Sequence, residues 1–339
     1  MTRLEDPAAI AAGDPSGILR AFLAAGDQLR AAYELGLAAE GAVPRSVALC
    51  GMGGSAAGAD VAAAALDLAV PIASVRGYAL PPHVGPEDLV VCLSFSGGTE
   101  ETLACHDEAA RRGARIVAIT SGGALADRAE TVIRVPAGVP MPRAGLGYLA
   151  GAAIGALEAA GLAGASEDVA EASDALGALA KEIAPEAPGN EAMEIAEAVG
   201  SRVPVAWGSE GIADAAAFRW KAAWNENAKV PAFASALPEL SHHEVEGWSE
   251  GRGSGFLLAI LRHPGEHPSV ARRLEATLPE IEASGLGWRE VHARGDGALA
   301  RMLSLILIGD VASTYHAIAR RVDPTPIPLI ARVKERLGP

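Results

Sequence analysis

Three times in its first half the chain passes through a short, unbroken apolar run, stops at a turn rich in glycine, serine and threonine, and opens a stretch that can be helical. Ser46-Val47-Ala48-Leu49-Cys50 leads into Gly51-Met52-Gly53-Gly54-Ser55, Leu89 to Ser94 into Phe95-Ser96-Gly97-Gly98-Thr99, and Arg115 to Thr120 into Ser121-Gly122-Gly123. Strands that do not alternate apolar with polar residues are buried on both faces. Strand, turn and helix in series place such strands in a parallel sheet covered by helices. Residues 99–112 form the clearest helix, with Glu100 and Glu101 early and Arg111 and Arg112 late, where the helix dipole favours each charge.

The second half repeats the plan. Val203-Pro204-Val205-Ala206-Trp207 runs into Gly208-Ser209-Glu210-Gly211 and a helix to about Asn227. Gly255 to Leu261 and Trp288 to Ala293 are the next strands, and a long apolar helix begins near Ala298. The offset between matching strands grows from roughly 156 to 174 residues, as expected of a duplication whose loops have lengthened. Two tandem α/β domains follow. Residues 1–40 are a helical segment with Ile18, Leu19, Phe22, Leu23, Leu29 and Leu35 on its apolar face, and 41–164 are the first domain. Residues 165–200 are a helical connector broken at Pro185 and Pro188, and 201–339 are the second domain.

Half of the 339 residues are hydrophobic, which excludes disorder, and 28 basic against 42 acidic side chains give a net charge of −14. A nucleic-acid partner is not expected, because no basic field is available to displace counterions from phosphates. Cys50, Cys92 and Cys105 fit no C-x-x-C spacing and read as reduced core thiols of a cytoplasmic protein. Met1 to Pro7 has no apolar segment behind a basic start, so no leader is expected there. The apolar run Met302 to Gly309, bounded by Arg301 and Asp310, is too short to cross a membrane, and no membrane association is expected.

In a parallel sheet the turns after the strands gather at one edge, where α/β proteins bind ligands. The first turn is neither a G-x-G-x-x-G nucleotide loop nor a phosphate loop with its lysine. The second and third turns add Ser94, Ser96, Thr99, Thr120 and Ser121. Neutral hydroxyls and backbone amides aimed at one spot suit a phosphate dianion. The matching turns of the second half, Arg262-His263-Pro264-Gly265 and Arg294-Gly295-Asp296-Gly297, lack those hydroxyls. One phosphate site in the first domain is therefore expected, with catalytic groups from the second.

These turns resemble the sugar isomerase (SIS) domain. The fuller set resembles the bifunctional phosphoglucose/phosphomannose isomerase family, in which two such domains stand in tandem, each a parallel sheet flanked by helices in a flavodoxin-like three-layer sandwich. The further matches are Pro142-Arg143-Ala144-Gly145-Leu146-Gly147-Tyr148, Asn225-Glu226-Asn227-Ala228-Lys229, His242-His243-Glu244-Val245-Glu246-Gly247-Trp248 and Ile327 to Leu337. Together they span roughly residues 45–339 in the family's order. The resemblance implies that Ser94, Ser96 and Thr99 hold a sugar phosphate, with Ser55 and the Gly53 and Gly54 amides nearby. It implies that Glu226 is the base, His242 the ring-opening group, and Arg143 and Lys334 the accompanying cations. It also implies a homodimer in which the histidine comes from the partner subunit. Phe95, Gly98 and His243 stand where the family commonly has Tyr, Asn and Asn. The last leaves His242 and His243 as alternatives, and motif register selects His242.

The chemistry is consistent with these residue types. Converting an aldose to a ketose requires a base that moves a proton between C2 and C1 through an enediolate. Glu226 is expected at a helix C-terminus, where the dipole raises a carboxylate's pKa. Histidine titrates in the range ring opening needs, and arginine can stabilise the enediolate. In a strand His242 and His243 would face opposite sides. Thr325, in Asp323-Pro324-Thr325-Pro326, is expected to leave room for a rotation about C2–C3 that admits both epimers. No H-E-x-x-H motif occurs, and neither a metal nor another cofactor is expected. The expected activity is interconversion of glucose 6-phosphate or mannose 6-phosphate with fructose 6-phosphate. The alternatives are a non-catalytic sugar-phosphate-binding protein and an isomerase of another sugar phosphate.

Overall fold

The computed structural model describes residues 4–249 and 251–337. Met1 to Arg3, the start of the stretch in which no leader was expected, lie outside them. Helices α1 (Pro7–Gly13), α2 (Ile18–Leu23) and α3 (Ala25–Gly36) precede the first sheet. The first domain then runs β1 (Val47–Gly51), α4 (Gly54–Ala65), β2 (Ile72–Val75), β3 (Leu89–Leu93), α5 (Glu100–Arg112), β4 (Arg115–Thr120), α6 (Gly123–Arg128) and β5 (Val132–Arg134). A 3₁₀ turn, Pro142–Gly145, leads into α7 (Leu146–Ala159), followed by α8 (Ser166–Glu182) and α9 (Glu191–Val199). The second domain runs β6 (Val203–Ser209), α10 (Ile212–Ala223), β7 (Phe233–Leu237), β8 (Phe256–Arg262), α11 (Pro268–Ala283), β9 (Gly287–His292), α12 (Ala298–Ala319) and α13 (Pro328–Leu337).

The strands form two parallel sheets, ordered β2-β1-β3-β4-β5 and β7-β6-β8-β9. Each central strand divides its side chains between two cores, which is why its sequence reads as continuously apolar. Leu49, Val91, Val117 and Ile119 face α3, α4 and α7, while Cys50, Cys92 and Ala118 face Cys105 and Ala109 of α5 and Leu125 of α6. In the second sheet Ala206, Leu257 and Leu261 join the side of α10 and α12, and Val205, Trp207, Leu258 and Ile260 face Leu274 and Ile281 of α11. One apolar core therefore fills the space between the sheets and joins the two domains.

Several expectations are corrected. Residues 1–40 break into three helices, because Asp14 is buried and its carboxylate accepts from Ile18 N (3.0 Å) and Leu19 N (2.9 Å), restarting the helix there. Leu35 is 41% exposed rather than part of the apolar face. Residues 165–200 are helical, as α8 and α9 with Pro185 and Pro188 in the break between them, and they pack on α3 and α12 within the shared core. Strand β7 was not anticipated: it is a short edge strand containing two alanines and flanked by Pro231 and Pro238, so it lacks a buried-strand pattern. The apolar run ending at Asp310 belongs to α12, whose 22 residues are long and apolar enough to cross a membrane, yet 94% of its most apolar window is buried inside the protein. Asp310 lies in the middle of that helix instead of bounding it.

Helices α3 and α7 cross with their backbones nearly touching. A β-carbon at Gly151 would lie 2.2 Å from the Leu29 carbonyl oxygen, and one at Gly155 would lie 2.2 Å from that of Tyr33. The approach is possible only for glycine, and it brings α7 and the Pro142–Gly145 turn that starts it up against the sheet.

Candidate active site

The glycine-rich turns meet at the carboxyl edge of the first sheet. The Phe95 N–H donates to Ser55 Oγ (3.2 Å), tying the first turn to the second. Gly97 N–H donates to Ser94 Oγ (3.1 Å), and the Ser94 and Thr99 hydroxyls share a hydrogen bond of 2.8 Å. Each hydroxyl has one hydrogen, so only one partner donates within that pair and the other keeps its hydrogen for a ligand. Thr99 is the N-cap residue of α5 yet makes no side-chain cap bond, which leaves the hydroxyl turned towards Ser94. Ser96 is exposed and accepts from Gly98 N at 3.4 Å. The third turn differs from expectation. Ser121 Oγ donates to the Phe95 carbonyl (2.6 Å) and Thr120 Oγ1 to that of Gly122 (2.7 Å), so these hydroxyls brace the turns.

Arg143 stands beside the first turn. A β-carbon at Gly54 would lie 3.0 Å from Arg143 Cα, so glycine there lets the two segments meet. The arginine is 2% exposed and is held on three sides. Its Nε donates to Asn227 Oδ1 (2.8 Å), and one Nη donates to the carbonyls of Pro324 (2.7 Å) and Thr325 (2.8 Å). The other Nη is buried without a hydrogen bond and lies 3.7 Å from Glu226 Oε2. Burial lowers the guanidinium's pKa, and the Glu226 charge opposes that shift. Thr325 Oγ1 is likewise buried without a partner. Two unsatisfied buried polar groups held by the same small cluster are costly unless something else meets them.

Glu226 sits where α10 loosens into a π-helical turn, Trp224–Ala228, so the expected helix end is present but wider than an α-turn. Such bulges are frequent at functional sites. Asn227, fully buried, bridges Arg143 to Ser313 Oγ (3.0 Å). Lys229 closes the turn, its Nζ donating to the carbonyls of Glu226, Asn227 and Pro324.

Below them Arg219 and Asp310 form a buried ion pair, Nη2 lying 2.9 Å from Oδ1 and hydrogen-bonding Oδ2 at 3.0 Å. The same Nη2 donates to the Arg143 carbonyl at 3.1 Å. Asp310→Leu should cost about 3–5 kcal/mol of unfolding free energy, because it strands the Arg219 charge. The double variant Arg219→Met/Asp310→Leu should be markedly less damaging. Denaturant titration measures both, and a double variant as unstable as the single one would disprove the account.

His242 ends a 3₁₀ turn, Glu239–His242, that follows β7; it is exposed and makes no hydrogen bond or ion pair among the described residues. His243 is exposed and lies 3.6 Å from Glu239. The two histidines therefore lie at the junction of two 3₁₀ turns and not in a strand. Lys334 is exposed on α13. Thus the structure gathers Arg143, Glu226 and Thr325 next to the turn carrying Gly53, Gly54 and Ser55. No described hydrogen bond or ion pair brings His242 or Lys334 to them within one chain. Among the described residues no group of three His, Cys, Asp or Glu side chains is placed to hold a metal ion. Arg219, Asp310 and Lys229 had no assigned role from sequence. The available signal for Asp310 was a charge inside the largely apolar helix α12.

A hydroxyl-lined carboxyl edge in one parallel sheet, backed by a second parallel sheet that lacks it, defines the tandem SIS class of sugar-phosphate proteins. A SIS domain model matches residues 42–149, and the model of the bacterial phospho-glucose isomerase C-terminal SIS domain matches residues 189–337. The chain is 33% identical to a bifunctional phosphoglucose/phosphomannose isomerase of Caldicellulosiruptor bescii, covering 92% of this chain and 96% of that one. It is 34% identical to the protein of the same name from Aquifex aeolicus, over 86% and 90% of the two chains. A glucose-6-phosphate isomerase like protein from Thermus thermophilus shares the fold, with a TM-score of 0.67 at 20% identity over 99% of each chain. The chain belongs to the bifunctional phosphoglucose/phosphomannose isomerase family.

Proposed function

We propose that this chain interconverts glucose 6-phosphate and mannose 6-phosphate with fructose 6-phosphate through a cis-enediolate. The observation that carries the proposal is the Arg143 cluster. It holds an unpartnered buried N–H 3.7 Å from the Glu226 carboxylate, beside a turn able to take a phosphate. The Ser94, Ser96 and Thr99 hydroxyls, with Ser55 and the Gly53 and Gly54 amides, hold the phosphate. Glu226 removes the proton from one of C1 and C2 and returns it to the other. Charge develops on the sugar oxygens in between, and the free Arg143 N–H donates to it. The Thr325 hydroxyl and its surroundings accommodate rotation about C2–C3, so that either face of C2 is protonated.

His242 opens the ring, and it reaches the site from the partner subunit of a homodimer. Its exposure and lack of contacts support this arrangement, as do Leu329 (66% exposed), Ile330 (42%) and Val333 (50%) on the outer side of α13. A second copy covering that side would bury them, and Lys334 on the same helix would serve the phosphate or the ring. The free, buried Cys50, Cys92 and Cys105 fit a reducing compartment, and the cytoplasm is the proposed location.

Incubation with fructose 6-phosphate in deuterated water tests the activity. Both aldose phosphates should form, carrying deuterium at C2, because the carboxylic acid form of the base exchanges with solvent. Failure to form any aldose phosphate would reject the function, and unlabelled products would reject the enediolate.

A further inference from the structure

Among the described residues Lys229 and Arg321 are the two non-glycine residues with a left-handed backbone; at Lys229 φ is +56°. A β-carbon is disfavoured there, so the side chain is the place to look for a reason. Lys229 as a residue is exposed, but its ammonium turns back onto the protein. Nζ donates to the carbonyls of Glu226 at 2.6 Å, Asn227 at 3.2 Å and Pro324 at 2.7 Å. Three N–H bonds meet three acceptors, which is the full capacity of a protonated amine. Two acceptors belong to the turn that carries Glu226. The third belongs to the segment whose Pro324 and Thr325 carbonyls hold Arg143.

We infer that Lys229 is a positioning residue, clamping the Glu226 turn to the Pro324–Thr325 segment and so fixing the carboxylate against the Arg143 guanidinium. The inference rests on Glu226 being the base. Without the clamp the π-helical turn and the segment are joined through Arg143, whose Nε holds Asn227 and one Nη the Pro324 and Thr325 carbonyls.

Three charged groups act on the ammonium. Burial and the Arg143 charge lower its pKa to about 8 from the usual 10.5, against the opposing pull of Asp323 and Glu226. Loss of the proton leaves two N–H bonds for three carbonyls. The clamp is therefore complete at pH 7 and slackens as pH rises through about 8. Stability moves the other way in that interval. The folded pKa lies below the unfolded one, so between them the unfolded chain binds more protons and this group adds stability as pH rises. A fall in kcat without a fall in melting temperature distinguishes slackening of the clamp from unfolding.

The experiment measures kcat, KM for fructose 6-phosphate and melting temperature from pH 6.5 to 9.5 in the wild type, Lys229→Met and Lys229→Arg, with Glu226→Gln alongside. The wild type should lose kcat several-fold above about pH 8 with KM little changed. Lys229→Met should have kcat reduced about tenfold at pH 7 and no alkaline limb near 8. Lys229→Arg, charged throughout the range, should retain part of the pH 7 activity and also lack the limb. An unchanged limb in Lys229→Arg, or a wild-type kcat that is flat to pH 9.5, would overturn the clamp; the arginine variant decides the matter even if the methionine variant does not fold. An active Glu226→Gln variant would instead overturn the base, whatever the limb does.

Discussion

Glu226→Gln is expected to lower kcat about 10²–10⁴-fold, the usual cost of removing a general base, while leaving KM and folding nearly intact. Glutamine has the same shape and cannot accept the proton. The fold should tolerate it because the carboxylate is 21% exposed and makes no hydrogen bond among the described residues; the turn is held through backbone carbonyls. The Arg143 N–H that faces it is already unpartnered, so glutamine's oxygen faces it at the same distance. Steady-state kinetics with fructose 6-phosphate and a melting curve check both parts. A variant with more than half of the wild-type kcat would remove Glu226 from the chemistry. A variant that unfolds would show that the carboxylate is structural.

Mixing Glu226→Gln with His242→Ala, each inactive alone, should restore roughly a quarter of wild-type activity if the histidine crosses the subunit interface of an isologous dimer. Each mixed dimer then has one site with both lesions and one with neither. Random exchange makes half of the dimers mixed, and half of their sites are intact. The structure motivates the test: within one chain no described hydrogen bond or ion pair joins His242 to the cluster around Glu226. The fifteen residues between them include edge strand β7, so Glu226 precedes that strand and His242 follows it. If both residues act from one chain, every site retains a lesion and no activity returns. Exchange must be demonstrated first with tagged and untagged chains. Exchange without recovery would place the histidine in the same subunit as the base or outside the site.

Local chemistry explains which parts were legible. The central strands β1, β3, β4, β6 and β8 announced themselves because a strand covered on both faces must be apolar at every position. The hydroxyl-bearing turns were visible because glycine with serine or threonine follows each of β1, β3 and β4 in sequence. Strand β7 was not visible, because an exposed edge places little demand on its side chains. Glu226 was recognisable from its motif, but the π-helical turn that presents it was not. That turn depends on Lys229 at its end and on Asn227 reaching Arg143, both non-local contacts.

What the sequence determined by itself was the parallel-sheet architecture, its duplication and the positions of the glycine- and hydroxyl-rich turns. These follow from burial and turn preferences that act within a few residues. What only the tertiary structure decided was which polar groups are spent and which are free. Thr120 and Ser121 looked like ligand groups and prove to brace the backbone, while Arg143, which spacing would allow at the surface, is buried with one N–H left over. Asp310 looked like the end of an apolar run and proves to be the counter-ion of Arg219. A hydrogen bond or ion pair is set by where its partner lies in space. For Arg143 and the Arg219–Asp310 pair those partners stand 76 to 182 residues away along the chain, beyond the reach of any local pattern.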